Sequence, residues 1–121
     1  MALYQNRPLS ESAITVTMAD LSTASSVFVA SPWRGTITRY YSAIANAITT
    51  ANAGVTMEIN GTLVTGSELT VTQSGSAAGD VDSALPTGAN YVNEGDTIEI
   101  ITDGASNTTT ITTFTIVIER D

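Results

Sequence analysis

V-T-M-E-I-N-G-T-L-V-T-G-S-E-L-T-V-T, residues 55–72, decides the fold. Val55, Met57 and Ile59 alternate with Thr56, Glu58 and Asn60, a period of two that gives a strand one apolar and one polar face. Asn60-Gly61 then offers two residues that accept positive φ, the requirement of a tight type I′ hairpin. Residues 62–65 run back along the first strand, Gly66-Ser67 turns the chain again, and Leu69 and Val71 resume the alternation. The expectation is a three-strand meander.

The whole chain agrees with that stretch. Its 121 residues make one domain, long enough to bury roughly two-thirds of the unfolded surface. Hydrophobic content of 42% argues against disorder. Thr fills 21 positions and Val with Ile another 20, a load of β-branched side chains that suits a pleated sheet better than a helix. The class is all-β.

Charge and missing residue types exclude several functions. The net charge is −8, and the four cations are Arg7, Arg34, Arg39 and Arg120, scattered and without Lys. Binding a phosphate backbone needs clustered cations that release counterions, so nucleic acid and anionic membranes are disfavoured as partners. Cys is absent, which removes disulfides and thiolate metal sites. His is absent too, which removes the commonest general base and metal ligand. No apolar run approaches the roughly 20 residues of a membrane-spanning helix, and the N-terminus lacks the apolar core of a signal peptide. Asn60-Gly61-Thr62 and Asn107-Thr108-Thr109 match the glycosylation sequon but read as turn chemistry.

Residues 1–13 carry no lasting periodicity and form an N-terminal arm, with the sandwich domain at 14–121. The arm has two readings, a frayed end or a segment that orders on a neighbouring subunit with Leu3, Tyr4 and Leu9 as anchors. Ile14, Val16 and Met18 alternate as a first strand; residues 26–30, S-V-F-V-A, are apolar on both faces and read as a buried strand. Trp33 follows on a Pro-containing turn beside Arg34. It either caps the core, with its indole N–H reaching a carbonyl, or anchors an interface, where Trp and Arg are enriched. From Gly35 a long strand is expected through about Ala45, then an irregular crossing; a short helix over the Ala-rich 43–53 is the alternative.

Residues 73–96 read as one long connection, which in a compact domain is functional or specifically packed. It carries Asp80, Asp82, Glu94 and Asp96, oxygen ligands in kind but without EF-hand spacing, so turn-forming side chains are the plainer reading and no metal is assigned. Residues 97–102 and 110–119 supply the last strands, with Ile98, Ile100, Phe114, Ile116 and Ile118 inward. Short strands separated by Gly, Asn and Asp turns describe a single antiparallel β-sandwich of jelly-roll type. No catalytic constellation emerges. Ser has no His or Lys beside it and no G-x-S-x-G elbow. Glu58, Glu68, Glu94 and Glu99 offer carboxylates, with Glu58 and Glu99 on solvated strand faces, and no cofactor is implied.

Three segments within residues 35–120 carry a resemblance: G-T-I-T-R-Y-Y-S-A-I, then A-I-T-T-A-N-A-G-V-T-M-E-I-N-G-T-L-V-T-G, then S-G-S-A-A-G-D-V-D-S-A-L-P-T-G-A-N-Y-V-N-E-G-D-T-I-E-I. They resemble the small β-sandwich head-decoration, or cement, proteins of tailed bacteriophages. The resemblance implies a non-enzymatic structural protein of the virion, made in the host cytoplasm. It would bind the major capsid protein on the capsid exterior, commonly as a homotrimer at threefold or quasi-threefold sites. Leu3, Tyr4, Arg7, Pro8, Leu9, Trp33 and Arg34 are then the interface candidates. The alternative is a carbohydrate- or receptor-binding sandwich of a phage tail or fibre, with Trp33, Tyr40, Tyr41 and Tyr91 as a stacking platform.

Overall fold

Ten strands pair into two five-stranded antiparallel sheets in the computed structural model, which describes residues 10–121. The first sheet orders β1 (Glu11–Met18), β10 (Thr112–Arg120), β3 (Gly35–Ile44) and β7 (Val81–Ala84), with the two-residue β8 (Tyr91–Val92) on the same edge of β3 as β7. The second orders β2 (Ser25–Ala30), β9 (Thr97–Thr102), β4 (Ala53–Ile59) and β5 (Thr62–Leu63), with β6 (Leu69–Val71) also on β4. The architecture is the expected all-β sandwich. Strand β1 begins at Glu11, so residues 11–13 belong to the sheet and not to the arm: they pair with Glu119, Ile118 and Val117. Leu3, Tyr4, Arg7, Pro8 and Leu9 lie outside the described residues.

The core is the alternation made solid. Ile37, Tyr40, Ile44, Phe114, Ile116 and Ile118 from one sheet meet Val55, Met57, Ile98, Ile100, Leu69 and Val71 from the other, all buried. Strand β3 explains its own loose periodicity. A bulge between Ile37 and Arg39, opposite Val117/Ile118, adds one residue, so the inward positions Ile37 and Tyr40 are three apart instead of two. The strand then ends at Ile44 without a helix after it. Stiff β-branched and aromatic side chains outweigh the alanines that follow.

The decisive stretch folds differently from a meander. Asn60 (φ 49°) and Gly61 (φ 84°) make the expected I′ turn. Strands β5 and β6, however, both run along the same edge of β4, at Glu58–Ile59 and at Ala53–Val55. They are one return strand with a break at Gly66-Ser67. Gly66 has φ 77°, and a Cβ there would lie 2.9 Å from the Thr87 hydroxyl, so only glycine fits the kink. Across the break Ser67 Oγ accepts from Met57 N at 3.1 Å, replacing the missing ladder partner with a side chain. The looped-out Thr65 pairs with Gly88.

Two further expectations are corrected. Strand β2 is an edge strand with Phe28 61% exposed, because among the described residues it pairs with β9 alone and its outer face stays open. The long connection 73–96 holds β7 and β8, which pair with β3. V-D-S-A and Y-V carry no apolar alternation, since these short edge strands bury only one side chain each, Ala84 and Val92.

Tyr40 pins the two sheets together. Its phenol donates across the core to Ser67 O at 2.5 Å, and its ring meets Phe114 at 6.4 Å in a tilted arrangement. Burial, with the charge of Glu68 adding to it, pushes the phenol's pKa well above the ordinary range and keeps it a donor. Tyr40→Phe should lower the unfolding free energy by about 1–2 kcal/mol, read as a lower urea midpoint at unchanged slope.

Asp20 clamps the turn after β1. Its carboxylate accepts from Ser22 N (2.9 Å), Ser22 Oγ (2.6 Å), Thr23 Oγ1 (2.9 Å) and Thr110 N (3.3 Å). These bonds, those of Ser22 first, lower its pKa from 3.8 to about 2. A depressed folded-state value means the clamp contributes fully above the unfolded pKa and is lost as pH falls through the folded one. Wild-type protein should therefore lose stability between pH 3.8 and about 2 more steeply than Asp20→Asn in acid-unfolding curves.

Candidate interaction site

One end of the sandwich gathers the described interface candidates. The Pro32-Trp33-Arg34 turn leads into β3, β10 ends there, and β1 starts there. Arg120 N and Nε both donate to Ser10 O at 3.0 Å, so the chain enters the sandwich beside Trp33. A second clamp closes the pole: Ser31 N donates to Asp96 O, Gly95 N to Ser31 O, and Asp121 N to Arg34 O. Between these segments lies an open cleft of about 540 Å³ lined by Trp33, Arg34, Asn93, Glu94, Arg120 and Asp121, with Pro32 at its rim.

Trp33 sits at the end of the core, as the core-cap reading expects. It packs against the core cluster while remaining half-exposed, and the Arg120 guanidinium sits 5.8 Å from its ring centroid, a cation–π contact. The expected bond from the indole N–H to a carbonyl is not made among the described residues. Instead the Trp33 carbonyl accepts from Ser31 Oγ at 2.7 Å. Arg34 stays exposed, with its Nε 3.5 Å from the Asp121 carboxylate, a contact that solvent screening leaves nearly neutral in energy. Tyr91 donates a short hydrogen bond to the same carboxylate. That bond raises the pKa of the phenol.

The acidic residues of 73–96 do not converge. Asp80 accepts from Ala77 N (2.9 Å), Asp82 from Thr72 N (3.2 Å) and Asp96 from Asn93 N (2.8 Å). Each carboxylate closes a turn or ties two loops, and the bond from Asn93 N holds the Asp96 pKa down. No group of three His, Cys, Asp or Glu able to hold a metal occurs among the described residues. The aromatic platform does not assemble either. Tyr40 is fully buried, and the Tyr41 hydroxyl accepts from Arg39 Nε at 3.0 Å, while Tyr91, 44% exposed, is bonded through its hydroxyl to Asp121.

A second surface escaped the sequence reading. Strand pairing sets Phe28 opposite Glu99, Glu99 opposite Glu58, and Glu58 opposite Leu63, one row across the outward face of the second sheet. Like charges directly opposite each other cost roughly 0.2–1 kcal/mol. The two glutamates lie 41 positions apart in sequence, so only the β4–β9 register reveals the pair. On the first sheet, by contrast, Arg39 reaches Glu11 in a bidentate pair, 2.8 Å at both contacts, and Val117 between their strands is buried on that outward face.

No protein-family model matches the chain, and no curated protein matches it in sequence. Among solved structures it is similar to the catalytic unit of the thermostable GH87 alpha-1,3-glucanase from Streptomyces thermodiastaticus strain HF3-3. That likeness has TM-score 0.54 and 15% identity, and covers 93% of this chain and 26% of that one. A family 35 carbohydrate binding module from Clostridium thermocellum is similar at TM-score 0.45 and 10% identity, over 88% of this chain and 90% of the module. The chain thus spans about a quarter of the glucanase unit. At this identity the likeness is one of fold, a two-sheet antiparallel sandwich.

The polar network at the pole is testable by titration. Asp121→Asn removes the charged acceptor and should bring the Tyr91 phenol back toward its ordinary value, seen as earlier tyrosinate absorbance on raising pH.

Proposed function

We propose that the protein is a structural β-sandwich that attaches by its Trp33 pole to a larger protein shell, as a capsid-decoration protein does, and acts by contact without turnover. The observation that supports this most is convergence. The point where residues 1–9 join the sandwich, at Ser10, is clamped by the same Arg120 that lies over Trp33, next to the exposed Arg34. The entry point of the chain at Ser10 and an aromatic–cation cleft at the same end suit an attachment surface of the type in which hot spots cluster. The resemblance to phage cement proteins names the partner, the major capsid protein on the capsid exterior, and a homotrimeric arrangement. Stabilisation then follows from mass action: a protein that binds the assembled shell and not its separated parts shifts the equilibrium toward the shell. Many symmetric copies multiply a modest energy per site.

A carbohydrate-binding role is the second reading. It is favoured by Tyr91, exposed next to the cleft, and by the fold shared with an alpha-1,3-glucanase catalytic unit. Against it stands the burial of Tyr40, which takes one ring out of the expected stacking platform.

Co-sedimentation with purified phage heads stripped of this protein separates the two. Deleting residues 1–9, which spares the Glu11–Arg39 pair, and Trp33→Ala with Arg34→Glu should each reduce occupancy tenfold or more. Thermal midpoints of the arm deletion should stay within a few degrees of the parent. Unchanged occupancy in both variants would end the pole reading. Saturable quenching of Trp33 fluorescence by alpha-1,3-gluco-oligosaccharides would establish the sugar reading in its place. Light scattering should give a trimer, or a monomer that trimerises on the shell; a stable dimer counts against threefold seating.

A further inference from the structure

The row Phe28–Glu99–Glu58–Leu63 has a composition that its own fold does not use. Phe28 and Leu63 are 61% and 50% exposed at its two ends. Ile101, next to Glu99 on the same outward face, is half-buried. Neither glutamate has a hydrogen bond or ion pair among the described residues, although they face each other directly across the strands. The described cations are engaged elsewhere: Arg39 with Glu11, Arg120 with Ser10 O and the Trp33 ring, Arg34 beside Asp121 at the pole.

We propose that this row is a docking surface for an arginine that another protein presents between apolar residues. Charge complementarity sets the occupant. Two carboxylates on adjacent strands, about 5 Å apart at Cβ, suit the planar fork of a guanidinium, which offers paired donors. Phe28 and Leu63 stand three strand spacings apart, about 14 Å, and would bracket the charged centre with apolar contact that keeps water out. A nucleic acid would be repelled. A second copy carries the same net charge of −8. A free cation would leave both apolar ends without a role. The surface is a sheet face, separate from the cleft at the strand ends, and the inference does not depend on the attachment proposed there.

The test is an NMR titration of the 15N-labelled chain with acetylated, amidated Ala-Phe-Arg-Leu-Ala and with the same peptide carrying citrulline for arginine. The arginine peptide should shift the amides of residues 28, 58, 63 and 99 saturably at millimolar concentration, and the citrulline peptide should bind at least tenfold more weakly. The double variant Glu58→Gln/Glu99→Gln should lose the response while its thermal midpoint rises by about 2 °C or more, because a like-charge pair has been removed. The single variant Glu99→Gln should show the same rise with partial loss of binding. Equal response to both peptides, shifts located elsewhere, or a lowered midpoint in both variants would overturn the proposal. So would a saturable response of the pair to CaCl2 alone, which makes it a cation site, or shifts in the row on dilution, which make it a self-contact.

Discussion

Two sheets packed face to face need something to fix how they sit, and here it is the hydrogen bond from Tyr40 to the carbonyl of Ser67. The donor stands mid-strand on β3; the acceptor lies at the break in the return strand beside β4. A polar group this deep is costly if unmatched, so sheet spacings that separate the two oxygens are penalised by more than the bond itself contributes. The break serves the same end. By giving up regular pairing at Gly66-Ser67, the strand frees Thr65 to pair with Gly88, which ties the return strand of the second sheet to the connection between β7 and β8 of the first. The Ser67 hydroxyl then repairs the ladder at Met57.

Charge is distributed with similar economy. A chain of net charge −8 has few cations, and the described ones sit where they hold strand ends or neighbouring strands. Arg39 ties β3 to β1 over β10 through Glu11; Arg120 ties the end of β10 to the start of β1 and covers Trp33. The outer face of the first sheet thus holds an ion pair next to the exposed Glu119, which stands opposite Glu11. The second carries Glu58 and Glu99 side by side with no cation among the described residues.

The fold likeness to a glucanase catalytic unit and the text resemblance to phage cement proteins bear on different questions. The first concerns the sandwich, which hosts many unrelated activities. The second concerns a partner. Of the aromatic residues considered for sugar stacking, Tyr40 is buried, Trp33 and Tyr41 are partly exposed, and Tyr91 is exposed.

What the sequence determined alone was local: all-β class from its β-branched content, inward faces from period-two alternation, the I′ turn from Asn60-Gly61, and the long β3 strand, expected through about Ala45 and ending at Ile44. It also placed Trp33 on a turn, as either a core cap or an interface anchor. Tertiary structure decided everything that depends on which strand lies beside which. It made the supposed meander a single broken return strand, put β2 at an edge with Phe28 outward, drew β7 and β8 out of a stretch with no apolar pattern, and set Glu58 against Glu99. The reason is that side-chain alternation is a property of one strand and its neighbouring residues. Pairing between distant strands is instead fixed by the shared core, by bulges such as that at β3, and by single long-range bonds that no local window contains.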